Sequence, residues 1–167
     1  MEAIIVRHAD AGKADPKKYP DDALRPLSDE GEKEMVRIAR GMCRIEIEID
    51  DIFDSGYERA RQTALCICKA YDIDPSKIRT LKSLEPDAEP AKTAAELRAL
   101  RNLSRVALVG HMPQLGKLIG YLVAGNTELA LEFKKGGVCL LDVERWSPGG
   151  ATINALFPPK PLRKLGK

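Results

Sequence analysis

A chain of 167 residues with 44% hydrophobic content is long enough to bury one substantial core and too short to call for a second domain. Its 27 basic and 25 acidic residues leave a net charge of +2, which excludes the broad basic footprint of a nucleic-acid binder and requires any anion recognition to be local. No basic segment followed by an apolar stretch opens the chain and no run is long enough to span a bilayer, so the expectation is a soluble cytoplasmic protein without a membrane partner. The four cysteines, Cys43, Cys66, Cys68 and Cys139, are too scattered for a disulfide framework and suit a reducing compartment. Cys66 and Cys68 stand two apart in a helical pattern, which sends them to different faces and speaks against a metal site.

Taken in order, Ala3–Val6 is a short apolar run that reads as a buried strand, followed by Arg7-His8-Ala9-Asp10 and a polar loop with Gly12, Pro16 and Pro20. Ser28 is placed to cap a helix with Asp29 and Glu30 in its first turn and Met35, Ile38, Ala39 and Met42 on one face. Ile45, Ile47 and Ile49 alternate with Glu46 and Glu48, a pattern open to an extended stretch or an irregular approach to a strand at Asp51–Asp54. A second helix runs over Glu58–Tyr71 with Arg59 in its first turn, and a short strand near Ile78–Leu81 leads to a loop with Glu85, Pro86 and Asp87. Pro90 opens a third helix that ends before Ser104. The strand Val106–Val109 then runs into Gly110-His111-Met112-Pro113, and Pro113 opens a fourth helix ending at Gly125. Strands Val138–Val143 and Ala151–Phe157, joined through Ser147-Pro148-Gly149-Gly150, form an antiparallel pair at one side of the sheet. The tail from Pro158 to Lys167, with three prolines and four basic residues, reads as a frayed or surface-packed terminus. The whole predicts an α/β fold in one domain with a mixed, mostly parallel sheet.

The only two histidines, His8 and His111, each stand just past a strand pattern. Ligands of open α/β sheets bind beyond the carboxyl ends of the strands, so both imidazoles can face one pocket. A neutral imidazole is a competent nucleophile near neutral pH, and forked guanidinium donors suit the charge on a transferring phosphoryl group. The candidates are His8 as nucleophile, Arg7 and Arg59 as phosphate ligands, and His111 as a further donor to the phosphoryl group. Each histidine taken singly is also compatible with a hydrogen-bonded structural role. Arg25 is either a rim contact for substrate or a solvated loop residue.

Arg7-His8-Ala9 on the first strand, Ser55-Gly56-Tyr57-Glu58-Arg59-Ala60-Arg61-Gln62-Thr63 after the second, Gly110-His111-Met112-Pro113 and Arg25-Pro26-Leu27-Ser28 together resemble the histidine phosphatase superfamily. They are most similar to its small, SixA-like phosphohistidine phosphatase branch. The resemblance implies a phosphoglycerate mutase-like, three-layer α/β/α sandwich over residues 1–167. It also implies a cofactor-free, metal-independent phosphatase that forms a covalent phosphohistidine on His8, with a histidine-phosphorylated protein as substrate and partner and phosphate ion in the site. Ala9 stands where many members have glycine. Members acting on phosphomonoesters usually carry a glutamate after the third strand, often in a large insertion that this chain lacks. Glu85 falls in that loop, as a proton donor or as a solvated charge. The readings that compete are a small-molecule phosphomonoesterase and a phosphate-binding or phosphohistidine-binding module without turnover.

Overall fold

The computed structural model describes residues 1–167. Its strands are β1 (Glu2–Arg7), β2 (Asp51–Asp54), β3 (Ile78–Thr80), β4 (Arg105–Gly110), β5 (Val138–Val143) and β6 (Ala151–Phe157). Its α-helices are α1 (Asp29–Arg44), α2 (Glu58–Tyr71), α3 (Pro90–Ala99), α4 (Gln114–Ala124) and α5 (Pro159–Leu165). The strands form one sheet in the order β3-β2-β4-β1-β5-β6. Pairings β2·β3, β2·β4 and β1·β4 are parallel, whereas β1·β5 and β5·β6 are antiparallel.

Alternation along the central strands explains the layers. Ile4 and Val6 of β1, with Ala107 and Val109 of β4, face the helices α1, α2 and α5. Ala3 and Ile5, with Val106 and Leu108, face α3 and α4. Covering both faces is why these strands are written as unbroken apolar runs rather than as apolar and polar residues in turn. The edge strand β6 alternates between half-buried and exposed residues, as expected where one face meets solvent.

Local signals account for the helix limits. Ser28 accepts from the Gly31 amide at the start of α1, and its predicted apolar face, Met35, Ile38, Ala39 and Met42, is buried. Helix α4 stops at Gly125, whose φ of 75° is the left-handed conformation that favours glycine. Helix α3 ends at Ala99, about one turn short of Ser104, because Leu100 already turns extended. Between α1 and β2 the chain is irregular, with Ile47 and Ile49 buried in the core shared with α1 and α2 rather than paired as a strand. No helix is long and apolar enough to cross a membrane.

Of the two readings of the C-terminal segment, frayed or surface-packed, the structure shows the packed one, and as a helix. Pro159–Leu165 is a helix lying across α1, with Leu162 fully buried in the core that holds Ile4 and Val6. A side chain on Gly41 would strike the Leu162 carbonyl, so that glycine is the close-approach point of the two helices. Arg44 of α1 bonds the Leu165 carbonyl and Arg163 pairs with Glu34, so one of the tail's four basic groups is engaged and its end is held by α1. A single leucine among basic residues and prolines gives no periodicity, which is why the helix was invisible. Leu162→Ala is expected to destabilise the protein by about 2–5 kcal/mol in urea unfolding, whereas truncation in a solvated tail would stay within about 0.5 kcal/mol.

Candidate active site

The site is built from the register of the two central parallel strands. Val6 pairs with Val109 and Arg7 with Gly110, so the next residues, His8 and His111, leave the sheet at the same level. The His8 amide continues the ladder to the Gly110 carbonyl at 3.0 Å, and the two imidazole centroids lie 4.9 Å apart. After β1 the chain turns into α1 on one face, and after β4 into α4 on the other. Such a divergence between neighbouring strands opens the crevice where α/β sheets bind ligands.

Each imidazole has one nitrogen held by a partner within the chain. His8 Nδ1 lies 2.6 Å from the Ala9 carbonyl oxygen. A carbonyl can only accept, so Nδ1 carries the proton and Nε2 keeps its lone pair. His111 Nε2 lies 2.7 Å from Ser55 Oγ, which also accepts the Tyr57 amide at 3.3 Å. Accepting from the Tyr57 amide leaves the hydroxyl proton free to donate to Nε2, and that donation keeps the His111 proton on Nδ1.

Besides Trp146 Nε1, three donors are buried without a protein partner: Arg7 Nε, Arg59 Nε and His111 Nδ1. Buried donors are ordinarily satisfied, and their convergence with an imidazole lone pair marks a place for an anion with several acceptor oxygens. Arg59 sits in the first turn of α2, whose N-terminus has no side-chain cap and adds the positive end of the helix dipole. Burial holds His8 down to about 4 and His111 down to about 2, and the Arg59 and Arg7 guanidiniums press both in the same direction. Both imidazoles are thus neutral near pH 7.

The supporting contacts explain motif residues whose roles were not legible beforehand. Thr63 Oγ1 donates to the Arg59 carbonyl at 2.7 Å and accepts from the Ala9 amide at 3.1 Å, tying α2 to the turn that bears His8. Gln62 Oε1 accepts the Leu27 amide at 2.7 Å and docks the Arg25–Ser28 segment on α2. Arg7 Nη1 donates to the Phe133 carbonyl at 2.6 Å, and the Gly136 amide reaches the Arg7 and His8 carbonyls at 3.1 Å. Gly136 has a φ of 71°, and a Cβ there would meet Ile38, so this turn can press on His8 only as glycine.

Arg25 is not the solvated residue that was one of its two readings. Its side chain is 12% exposed and donates to Asp22 Oδ1 at 2.7 Å and to the Ala11 carbonyl at 2.8 Å. Asp22 Oδ2 also lies 2.9 Å from Arg59 Nη2, and the Asp22 carbonyl accepts from Arg59 Nη1 at 2.7 Å. Asp22 therefore holds both arginines, and its hydrogen bond from Arg25, together with the Arg59 charge, keeps its carboxyl below the usual range. Glu85 stands half-buried in a separate groove that reaches the site through Tyr57. Cys66 and Cys68 are buried in α2, and no three His, Cys, Asp or Glu side chains converge as ligands for a metal ion.

Residues 3–99 match the model of the histidine phosphatase superfamily, branch 1. The chain is 30% identical over 129 residues to phosphohistidine phosphatase SixA of Escherichia coli, covering 76% of this chain and 77% of that one. The structure of the protein histidine phosphatase SixA complexed with tungstate superposes with a TM-score of 0.84 at 26% identity, over 97% of this chain and 99% of the other. The α-ribazole phosphatase of Shigella flexneri shares the fold with a TM-score of 0.70 at 14% identity, over 95% and 97% of the two chains.

Two measurements test this geometry. Ser55→Ala is expected to lower phosphatase turnover by about 10–100-fold, because the hydroxyl no longer selects the His111 tautomer. Nitrogen NMR of that variant would show the His111 proton shared between Nδ1 and Nε2. For pH, unfolded histidines take up protons near 6.5, whereas folded His8 waits until about 4 and His111 until about 2. Stability is therefore expected to fall as pH drops through 6.5 toward 4. Inorganic phosphate should shrink that loss by favouring the charged imidazoles, as read from chemical denaturation at several pH values.

Proposed function

Because the chain belongs to branch 1 of the histidine phosphatase superfamily, we propose that it hydrolyses protein phosphohistidine through a phosphorylated His8. The observation that carries this reading is the His8 tautomer. Its Nδ1–H is committed to the Ala9 carbonyl, so the lone pair on Nε2 is free to attack phosphorus beside three unpartnered donors. In the first step the Nε2–phosphorus bond forms and the bond from phosphorus to the leaving group breaks. In the second, water attacks the same phosphorus, His8 Nε2 departs with its electron pair, and inorganic phosphate is released.

Arg7, Arg59 and His111 supply the donors to the equatorial oxygens, a task of positioning and charge stabilisation that these side chains can perform without a metal ion or cofactor. As the phosphoryl group arrives, its negative charge opposes the two guanidiniums and favours the imidazolium of His111. Asp22 and Arg25 act behind this set by fixing Arg59. A histidine-phosphorylated protein is the substrate favoured by the SixA likeness and by the site's position at the open ends of three strands without an inserted domain above it. A second reading, a phosphomonoesterase, draws on the half-buried Glu85, since an alkoxide leaving group needs a proton more than an imidazole does.

The test mixes the purified protein with a phosphohistidine-bearing carrier protein and, in parallel, with p-nitrophenyl phosphate, followed by an alkaline quench. Label on His8 with faster turnover of the carrier is expected. Faster turnover of the ester favours the second reading, and binding without label or turnover leaves a recognition module. His8→Ala is expected to abolish both label and turnover while keeping the fold. Arg59→Ala should cost about 100–1,000-fold in kcat, the range for losing one preorganised donor to the developing charge.

A further inference from the structure

A groove of about 500 Å³ opens beside the site, lined by Tyr57, Lys82, Glu85, Asp87, Glu89 and Lys92. Tyr57 joins the two: its ring centroid lies 4.9 Å from that of His111, and the Arg59 guanidinium lies 4.9 Å from the Tyr57 centroid. The Glu85 carboxylate is half-buried and has no hydrogen-bond or ion-pair partner within the chain, although two lysines line the same groove.

The loop carrying Glu85 is pinned to the loop carrying His111. The Leu81 amide donates to the Asp54 carbonyl at 2.8 Å, and a Cβ on Gly110 would come within 3.1 Å of the Leu84 carbonyl. The Ser83 carbonyl accepts from Thr93 Oγ1 at 2.7 Å and from Gln114 Nε2 at 2.9 Å. Ser83, Thr93 and Gln114 are all buried, and Gln114 opens the helix that follows His111. These buried bonds hold the backbone just before Glu85 against the start of the helix that follows His111.

The chemistry of the transfer says what such a groove would hold. Behind the His8 imidazole, the Ala9 carbonyl accepts the Nδ1–H while Nε2 bonds to phosphorus. When the phosphoryl group comes from another histidine, the reaction exchanges one imidazole for another. The leaving ring then needs the same provision, an acceptor for its distal N–H. Protonated there, it departs as neutral imidazole: its nitrogen–phosphorus bond breaks, the electron pair returns to that nitrogen, and the distal N–H stays in place. No proton has to come from the enzyme. An ionised carboxylate suits this cationic ring, and an aromatic face suits its plane. A second phosphate or a carboxylate on the substrate would instead meet three carboxylates, Glu85, Asp87 and Glu89, against two lysines.

We propose that the groove is the leaving-group subsite for the protonated imidazole of the substrate phosphohistidine, with the ring against Tyr57 and its distal N–H given to the ionised Glu85. Glu85 is then an acceptor that holds charge, and the enzyme selects a nitrogen leaving group over an alkoxide. The inference rests on the phosphohistidine reading above.

The test compares kcat/KM for N-phosphoimidazole and for p-nitrophenyl phosphate in the parent, Glu85→Gln and Tyr57→Leu. The ratio of the two is expected to fall about tenfold in Glu85→Gln, the scale of one charge-assisted hydrogen bond, and to fall in Tyr57→Leu as well. Glu85→Asp should recover part of the loss. An unmoved ratio in both variants, with His8 still labelled by N-phosphoimidazole, overturns the subsite and leaves the phosphohistidine reading standing. A ratio that rises in Glu85→Gln because the ester suffers more makes Glu85 a proton donor and overturns it too. Failure of the parent to place label on His8 from N-phosphoimidazole removes the underlying reading, and the subsite with it.

Discussion

The parallel pairing of β1 with β4 is the constraint on which the rest of this site depends. Evenly spaced ladder bonds set Arg7 level with Gly110 and carry His8 and His111 out of the sheet side by side. A slip of one residue would send every apolar side chain of β1 to the wrong face, so the two buried cores enforce the register. Hydrophobic burial on both faces thus aligns two imidazoles to within 4.9 Å, although neither contributes to that burial.

Gathering two arginines and two histidines at low exposure is electrostatically unfavourable, and the fold answers in two ways. The imidazoles are kept neutral by desolvation and by the guanidiniums beside them. Arg59, which cannot shed its charge, leans on the Asp22 carboxylate, itself shared with Arg25. Three donors of the site still lack partners, and this suits a site that gains most when an anion enters. Around it, Thr63, Gln62, Ser55 and Gln114 are spent on backbone and side-chain bonds that hold the strand-end loops to one another.

Much of this architecture was legible because it is local. β5, β6 and α2 occupy the ranges that their patterns predict, and the Ser28 cap and Gly125 stop do what their side chains favour. What local pattern missed or left open has physical causes. Leu162 is the only side chain of α5 that is fully buried, and a single buried residue announces no periodicity. The run from Ile45 to Ile49 alternates like a strand yet takes the irregular path that was the other reading, with Ile47 and Ile49 buried in the core shared with α1 and α2. Arg25 could not be placed between rim and solvent, because its partner Asp22 is also the partner of Arg59, far along the chain.

By itself, the sequence determined the α/β class, the two histidines at strand ends and the arginines near them, since these follow from apolar runs, turn residues and motif spacing. Only the tertiary structure decided which nitrogen of each imidazole is free, which donors stay unpartnered, and that Tyr57 links Glu85 to the site. The reason is that strand order and register turn residues more than a hundred positions apart into neighbours. A tautomer or an unpaired donor is a property of such neighbours and not of any residue alone.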